Sequence, residues 1–507
     1  MSNLGYPKSE EADICLILEG TYPFVKGGVS NWIYELIKAF PQYRFAVVFL
    51  GARPEDYDGL LYPLANNLVH LETHYLFENN DLLEESSKDI GKKTIEKIEK
   101  MHDSFNEYIS RKGNDIPELF ELMSDQTAVN EKMFLRSKSS WEILVRKYSE
   151  RYSDQSFFDY FWSVRNLHRP FWDIAKIVNQ IPKIKIIHSA STGYAGFLGS
   201  LLQKKYQIPY ILTEHGIYSK ERWIELMRNY FFEYIIKENN QVDNKKGVLA
   251  IWVHFFTILS KVAYDAANPI ISLIEPYRER QVADGAILER TKIISYGIDF
   301  DKYKFLNKKK PNKDRPIIAC IGRVVPIKDI KTFIRSCALI MRKSPHAEAW
   351  IVGSFQEDPT YVETCKMLTR TFGIEKKVKF LGECNVMDIF SKMDLLLLTS
   401  ISEGTPFVIL ESFAVGIPVV ATNVGGCKEL IYGKNKEDRS LGCAGKLVNI
   451  SDPDGVANAA LELLNDDNAW SLAQKVGYER VNKYYSMEQF IEEYRIIYQE
   501  AMEKWLE

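Results

Sequence analysis

Ten short apolar runs, none longer than a strand, constrain this chain more than any other feature. Five of them, ICLILEG, FAVVFLG, KIKIIHS, PYILTEHG and PIISLIEP, fall in the first 300 residues. Five more, PIIACIG, AWIVG, VKFLG, DLLLLTS and PVVAT, follow the charged, proline-bearing stretch FDKYKFLNKKKPNKDRP. A run that is apolar at successive positions suits a strand buried on both faces, and a turn or helical segment near each run is what a parallel sheet needs to close its crossovers. The pattern predicts an α/β fold of two doubly wound domains, at 1–300 and 315–480, with the charged stretch as a linker that buries little. The capping box Ser486 to Gln489 opens a last helix carrying Phe490, Tyr494, Ile497, Ala501 and Trp505. Within the final segment, 481–507, this helix is expected to pack back on the N-terminal domain.

Between residues 77 and 181 the strand signal stops. Ile95, Ile98, Met101, Phe105 and Tyr108 recur at helical spacing among charges, which predicts a helical insertion in the first domain. Its cluster FFDYFW, followed by Arg165, His168, Arg169 and Trp172, suits either helix packing or an acceptor sugar.

Composition narrows the partners. Over 507 residues, 65 Lys and Arg face 68 Asp and Glu, a net charge of −3, so no general basic field recruits nucleic acid. The seven cysteines are scattered and never form CxxC, which fits a reducing compartment and no disulfide framework. The N-terminus is acidic where an export signal would be basic, and the uncharged run Gly247 to Ser260 is too short to span a bilayer. The expectation is a cytoplasmic protein, compatible with peripheral docking on a membrane-embedded partner.

The chemistry-bearing residues all lie where strands end. In TSISEGTPFVILES, Thr405 is placed to cap a helix that starts at Pro406 and stops at Gly416. Glu403 then sits on the strand-to-helix loop, and Glu411 on the second turn of an apolar helix. Two readings stand: a satisfied core ion with a loop charge, or two acceptors for ligand hydroxyls beside a helix N-terminus. In CIGRVVPIKDIKTF, Arg323 follows a strand and Lys328 precedes the N-cap Asp329, a placement that suits a diphosphate or, alternatively, an arginine tied to an acidic neighbour. Gly27 and Gly28 before the first helix, and Gly425 and Gly426 in VGGCKEL, fit either turns or backbone approach to a ligand. His215, in LTEHGIYSKER, is open to a structural or a functional role. No GxGxxG, HExxH or GxSxG pattern is present.

Together, GRVVPIKD, SEGTPFVILE and VVATNVGG with KELI resemble the retaining GT-B glycosyltransferases of family 4. EGTYPFVKGGVSNW, TEHGIYSKERWIE and the helical insertion look more specifically like the PelF-type branch, which serves Pel exopolysaccharide assembly. The resemblance implies two Rossmann-like domains facing a cleft and transfer of a hexosyl unit from a nucleotide sugar, UDP-glucose or UDP-N-acetylglucosamine, to a growing polysaccharide. It implies no cofactor and no metal, because Arg323 and Lys328 would bind the donor diphosphate. It implies that Glu411 holds the ribose and that Glu403 and His215 contact the transferred sugar. Gly27 and Gly28 would approach the phosphates, and Gly404, Thr405, Pro406, Phe407 and Val408 would supply backbone donors. Tyr296 in YGID departs from the asparagine of many relatives, so that motif receives no ligand role. A nucleotide-sugar epimerase, a phosphorylase and a non-catalytic nucleotide-binding subunit of a membrane synthase are the alternatives on the same fold.

Overall fold

A computed structural model describes residues 5–77, 89–108, 129–224, 226, 246–303, 306 and 314–506. Residues 304–305 and 307–313 of the charged stretch, and the side chains of Phe105 and Tyr108, lie outside what is described. The chain forms two compact units, one of residues 1–293 with 495–507 and one of residues 294–494.

The N-terminal unit is built on β1 (Ile14–Glu19), β2 (Phe45–Gly51), β3 (Leu68–Tyr75), β4 (Ile186–Ser189), β5 (Tyr210–Glu214), β6 (Ile270–Ser272) and β7 (Thr291–Ile293). All pair in parallel, in the order β3-β2-β1-β4-β5-β6-β7. The five strands expected here are present, and β3 and β7 are additions at the two edges. Between β3 and β4 the described residues carry the helices Lys92–Tyr108, Glu131–Arg136, Lys138–Arg151 and Phe157–Ile177, which make up the insertion. Its inner face, including Ile98, Met101, Leu167, Phe171 and Trp172, joins the core under the sheet. The end of the chain belongs to this unit as well: the hydroxyl of Tyr498 lies 2.8 Å from Nδ1 of buried His188 on β4.

The C-terminal unit repeats the plan with β8 (Ile317–Ile321), β9 (Glu348–Val352), β10 (Val378–Gly382), β11 (Leu395–Leu398), β12 (Val419–Thr422) and β13 (Gly445–Val448). The order is β10-β9-β8-β11-β12-β13, again all parallel, with β13 a further edge strand beyond those expected. Arg480 is fully buried against the Asp438 carboxylate at 2.6 Å, and its remaining donors reach the carbonyls of Leu430, Ile431, Asp438 and Gly442, so the buried charge is satisfied in every direction.

Three local expectations are corrected. The helix after β11 runs Phe407–Val415 with Pro406, not Thr405, at the N-cap and no side-chain cap. Gln489 does not complete the capping box: its backbone amide donates to Ser486 Oγ, but its side chain donates to the carbonyl of Lys483 instead of returning to residue 486. The charged stretch begins as packed structure rather than as linker, because Phe300 packs edge-on against Tyr478 and Tyr303 is buried.

In both sheets the order reverses between the first strand of the unit and the strand three places on, β1 beside β4 and β8 beside β11. That switch point opens a crevice at the carboxyl ends, because the flanking crossovers leave on opposite sides.

Candidate functional site

In the C-terminal unit the loops after β8 and β11 meet at the switch point. Lys328 Nζ donates to Glu403 Oε1 at 2.5 Å, and Ser400 Oγ donates to the same oxygen at 2.5 Å. The Glu403 side chain is 9% exposed and that of Lys328 20% exposed, so the pair is partly withdrawn from water. Backbone bonds fix the loops around it. Ile401 N donates to the Ile327 carbonyl at 2.8 Å, Thr399 Oγ1 reaches the carbonyls of Lys328 and Asp329, and Thr422 Oγ1 donates to the Ser400 carbonyl at 2.6 Å. Asp329, in the left-handed region at φ 44°, caps the next helix through Thr332 N at 3.2 Å, as expected. Gly425, at φ 49°, lies against the Glu403 and Gly404 carbonyls so closely that a Cβ would fall on them. With Gly426 N donating to the Gly404 carbonyl at 2.8 Å, the glycine pair carries the Glu403 loop.

The helix that follows is the second component. The first amides of a helix have no intrahelical acceptor, and here no side chain caps them. Pro406 has no N–H, so the donors of the 404–408 stretch are the amides of Gly404, Thr405, Phe407 and Val408. Thr405 Oγ1 is buried and without a hydrogen-bond partner among the described residues. Tyr296 stacks on Phe407 with ring centroids 4.4 Å apart, so it supports the helix start by packing.

Arg323 and Glu411 are held apart from this pair. Arg323 NH1 bonds both oxygens of Glu357, at 2.9 and 3.0 Å, with both side chains about half exposed, so the acidic-neighbour reading holds for this arginine as it stands. An ion pair this exposed contributes only about 0–1 kcal/mol, which leaves the guanidinium able to exchange partners. Glu411 Oε1 accepts from the Tyr303 hydroxyl at 3.0 Å. Burial raises the Glu411 carboxyl above its ordinary value, with the tyrosine and Lys302 opposing. Sequence reasoning missed Tyr303, Ser400 and Glu357; only Ser400, three residues before Glu403 at a strand end, carried a local signal.

The N-terminal unit has a cavity of about 500 Å³ at its own switch point, lined among others by Glu19, Thr21, Ser191, Tyr194, His215 and Tyr218. Tyr218 donates to Glu19 Oε1 at 2.7 Å, an approach that the missing Cβ of Gly193 permits. Behind it, Glu214 is 1% exposed and accepts from Thr192 Oγ1, Tyr218 N, Tyr264 and Gln281 at 2.7–3.1 Å. Burial raises its carboxyl. Trp32, on the helix Gly28–Ala39, packs edge-on against the His215 ring at 4.4 Å and joins the Gly27 segment to His215. Burial drives the His215 imidazole down to about 3, so it is neutral at any working pH. Gly27 is the helix's uncapped N-cap with open space where a Cβ would stand. Its amide and carbonyl both lie 3.4 Å from the Tyr62 hydroxyl. Thr21 Oγ1, Ser191 Oγ and the Tyr194 hydroxyl are buried without hydrogen-bond partners among the described residues, and all three residues line the cavity.

Comparison with known proteins follows this division. Residues 12–289, more than half of the chain, match the family described as "Domain of unknown function (DUF3492)", and residues 315–466 match "Glycosyl transferases group 1". The N-acetyl-alpha-D-glucosaminyl L-malate synthase of Bacillus anthracis is 26% identical over 246 residues, 48% of this chain and 60% of that protein. The lipopolysaccharide core biosynthesis mannosyltransferase LpsB of Rhizobium meliloti (strain 1021) is 26% identical over 219 residues, 41% of this chain and 61% of that protein. The chain thus spans about 60% of the length of these curated relatives. Among solved structures, Anabaena Alr3699/HepE in complex with UDP and glucose superposes with a TM-score of 0.58 at 15% identity, covering 96% of this chain and 99% of that one. Sucrose-phosphate synthase (tll1590) from Thermosynechococcus elongatus superposes at 0.55 and 17% identity, over 96% and 98%. Two parallel sheets of seven and six strands in Rossmann order, shared with these structures, are the GT-B fold. The chain belongs to the DUF3492 family and carries, in its second sheet unit, the glycosyl transferases group 1 segment.

Proposed function

We propose that this protein is a glycosyltransferase of the retaining, PelF type. In this reading it transfers a hexosyl unit from UDP-glucose or UDP-N-acetylglucosamine to a polysaccharide acceptor, in the cytoplasm and without a metal. The observation that carries the reading is the Lys328–Glu403 pair set beside an uncapped helix N-terminus, with Thr405 Oγ1 buried and unpartnered. A lysine, the uncapped amides of the helix start and an arginine whose exposed pairing with Glu357 leaves it free to exchange partners supply what a diphosphate leaving group requires. The match to the glycosyl transferases group 1 profile and the UDP and glucose of the HepE complex support the donor class.

The sugar C1–O bond to the β-phosphate breaks, and its electron pair moves onto the phosphate oxygen, which Lys328 and the helix amides stabilise. The acceptor hydroxyl attacks C1 from the same face, and its proton passes to the departing phosphate oxygen. Glu403, held by Lys328 and Ser400, contacts the transferred sugar, and Glu411, fixed through Tyr303, binds the ribose. His215, held neutral, serves as a hydrogen-bond partner to the sugar rather than as an acid. The unsatisfied hydroxyls around Tyr194 in the N-terminal cavity are the acceptor-side contacts.

The test is calorimetric titration of UDP, GDP and ADP, followed by turnover of the preferred nucleotide's sugars with and without an oligosaccharide acceptor. UDP binding, with nucleoside diphosphate released only when acceptor is present, is expected. Epimerised sugar or phosphate-dependent release without acceptor would replace this reading with the epimerase or phosphorylase; binding without any turnover would leave a regulatory subunit.

A further inference from the structure

A second cavity lies in neither of these places. It is about 870 Å³ and sits inside the helical insertion, between the helices Lys92–Tyr108, Glu131–Arg136, Lys138–Arg151, Phe157–Ile177 and Lys246–Ala266. Its walls divide by chemistry. Most of the buried part is aliphatic and aromatic, Ile98, Ile143, Leu167, Phe255 and Ile258, each no more than 9% exposed, with the buried hydroxyls of Ser137 and Tyr160 beside them. Trp141 and Trp162 also line it, but they are 50% and 41% exposed, which places them at its rim, where Phe158, 69% exposed, packs against Trp162.

Cations complete the lining. Arg136, Lys147, Arg151 and Arg165 contribute to the wall, and no carboxylate does so among the described residues. The Arg165 guanidinium lies 5.9 Å from the Trp162 ring centroid, and Arg136 Nε is buried without a hydrogen-bond partner among the described residues. His168 adds no charge: its Nδ1 lies 2.7 Å from the Val164 carbonyl, and burial lowers its basicity.

From this arrangement we infer that the insertion is a lipid-phosphate site, in which the apolar chain of a membrane lipid enters the aliphatic interior and its phosphate is held by Arg136, Arg151 and Arg165 at the tryptophan rim. The volume is within the range of built ligand sites, about 300–1,000 Å³. An aliphatic interior suits methylene or isoprene groups better than the flat face of a base. Half-exposed tryptophans are the residues that settle at a bilayer's polar boundary. One-signed lining charge favours an anion over a neutral glycan. The site is independent of the nucleotide-sugar reading, since it uses none of the residues assigned to the donor or the acceptor.

The experiment uses the full chain. Flotation with phosphatidylcholine vesicles, with and without phosphatidylglycerol, is paired with tryptophan fluorescence titrations of dodecyl phosphate, dodecyl maltoside and inorganic phosphate. The chain should float only with phosphatidylglycerol and should bind dodecyl phosphate on the order of tenfold more tightly than dodecyl maltoside or free phosphate. Arg165→Glu should abolish flotation, and Trp162→Ala, at a position 41% exposed, should weaken it; thermal melts of both variants check that each is folded. Three results would each overturn the assignment: equal flotation of wild type and Arg165→Glu, equal affinity for dodecyl maltoside and dodecyl phosphate, or inorganic phosphate bound as tightly as dodecyl phosphate.

Discussion

The two sheet units are built alike but equipped in opposite ways. At the switch point of the C-terminal unit the side chains are charged and mutually paired: Lys328 on Glu403, with Arg323 on Glu357 nearby in sequence. At the corresponding place in the N-terminal unit, three buried groups are pressed toward their neutral forms. His188 and His215 are pushed down to about 3, and burial raises Glu214. The difference teaches that strand order determines only where a crevice opens; burial determines which chemistry it can hold. A diphosphate needs charge that stays accessible, whereas a hydroxyl-rich ligand can be met by neutral donors and acceptors as well as by carboxylates, and the N-terminal cavity offers Thr21, Ser191 and Tyr194 hydroxyls beside Glu19 and Glu221.

The largest effect expected from breaking this contrast is on the charged side. Lys328→Ala leaves Glu403 without its cation and, under the proposed function, takes a charge-assisted contact from the donor diphosphate. UDP affinity should fall ten- to a hundred-fold, as expected for a contact of about 1.5–3 kcal/mol. Calorimetry on the folded variant decides it, and unchanged affinity would show that the pair is purely structural. His215→Ala, from the neutral side, should leave UDP affinity intact and lower turnover.

Next comes the neutral side's own signature. His188 is fully buried between Tyr498 and Thr213 Oγ1, at 2.8 and 2.9 Å, and burial followed by the field of His215 holds it near 3. An unfolded histidine takes up its proton near 6.5, so below that pH the unfolded state binds more protons than the native one and stability falls as pH falls, until about 3. The slope is about 1.4 kcal/mol per pH unit. Thermal melts of wild type and His188→Gln between pH 7 and 5 should show a shallower pH dependence in the variant, the difference cancelling the opposite contribution of carboxyls such as Glu214.

A smaller change sharpens the comparison within the C-terminal unit. Tyr303→Phe deletes one hydrogen bond to Glu411, about 1 kcal/mol, and should weaken UDP and UDP-sugar by similar factors of about five. Glu403→Gln should instead spare UDP and lower transfer, so equal effects of the two changes on UDP binding would mean that the two glutamates are misassigned. The smallest expected effect is none: nucleotide binding and turnover should persist in EDTA, and loss restored by manganese would give to a metal the leaving-group role proposed for Lys328 and Arg323.

Nine of the ten strands that were legible are covered on both faces, which forces apolar residues at successive positions; the tenth, β10, is an edge strand with Lys379 and Leu381 exposed and was legible from its Val378, Phe380 and Leu381 alone. The three strands missed, β3, β7 and β13, are all at sheet edges, where one flank has no neighbour. In β3 this admits His70, Glu72 and His74 on alternate positions, and the run no longer looks buried. The charged site was equally legible for a local reason: Arg323, Lys328, Glu403 and the 404–408 stretch each lie within a few residues of a strand end, so locating the strands located them.

What the sequence determined by itself, then, is everything whose cause is local: the strand runs, the helix stops, the loops that carry Lys328 and Glu403, and the family pattern these spell out. Tertiary structure alone decided the partners. Glu411 meets Tyr303 across 108 positions, Glu19 meets Tyr218 across 199, and His188 meets Tyr498 across 310. The same holds for the protonation of each group, because a pKa is shifted by desolvation and by charges in space, and neither is a property of neighbours along the chain.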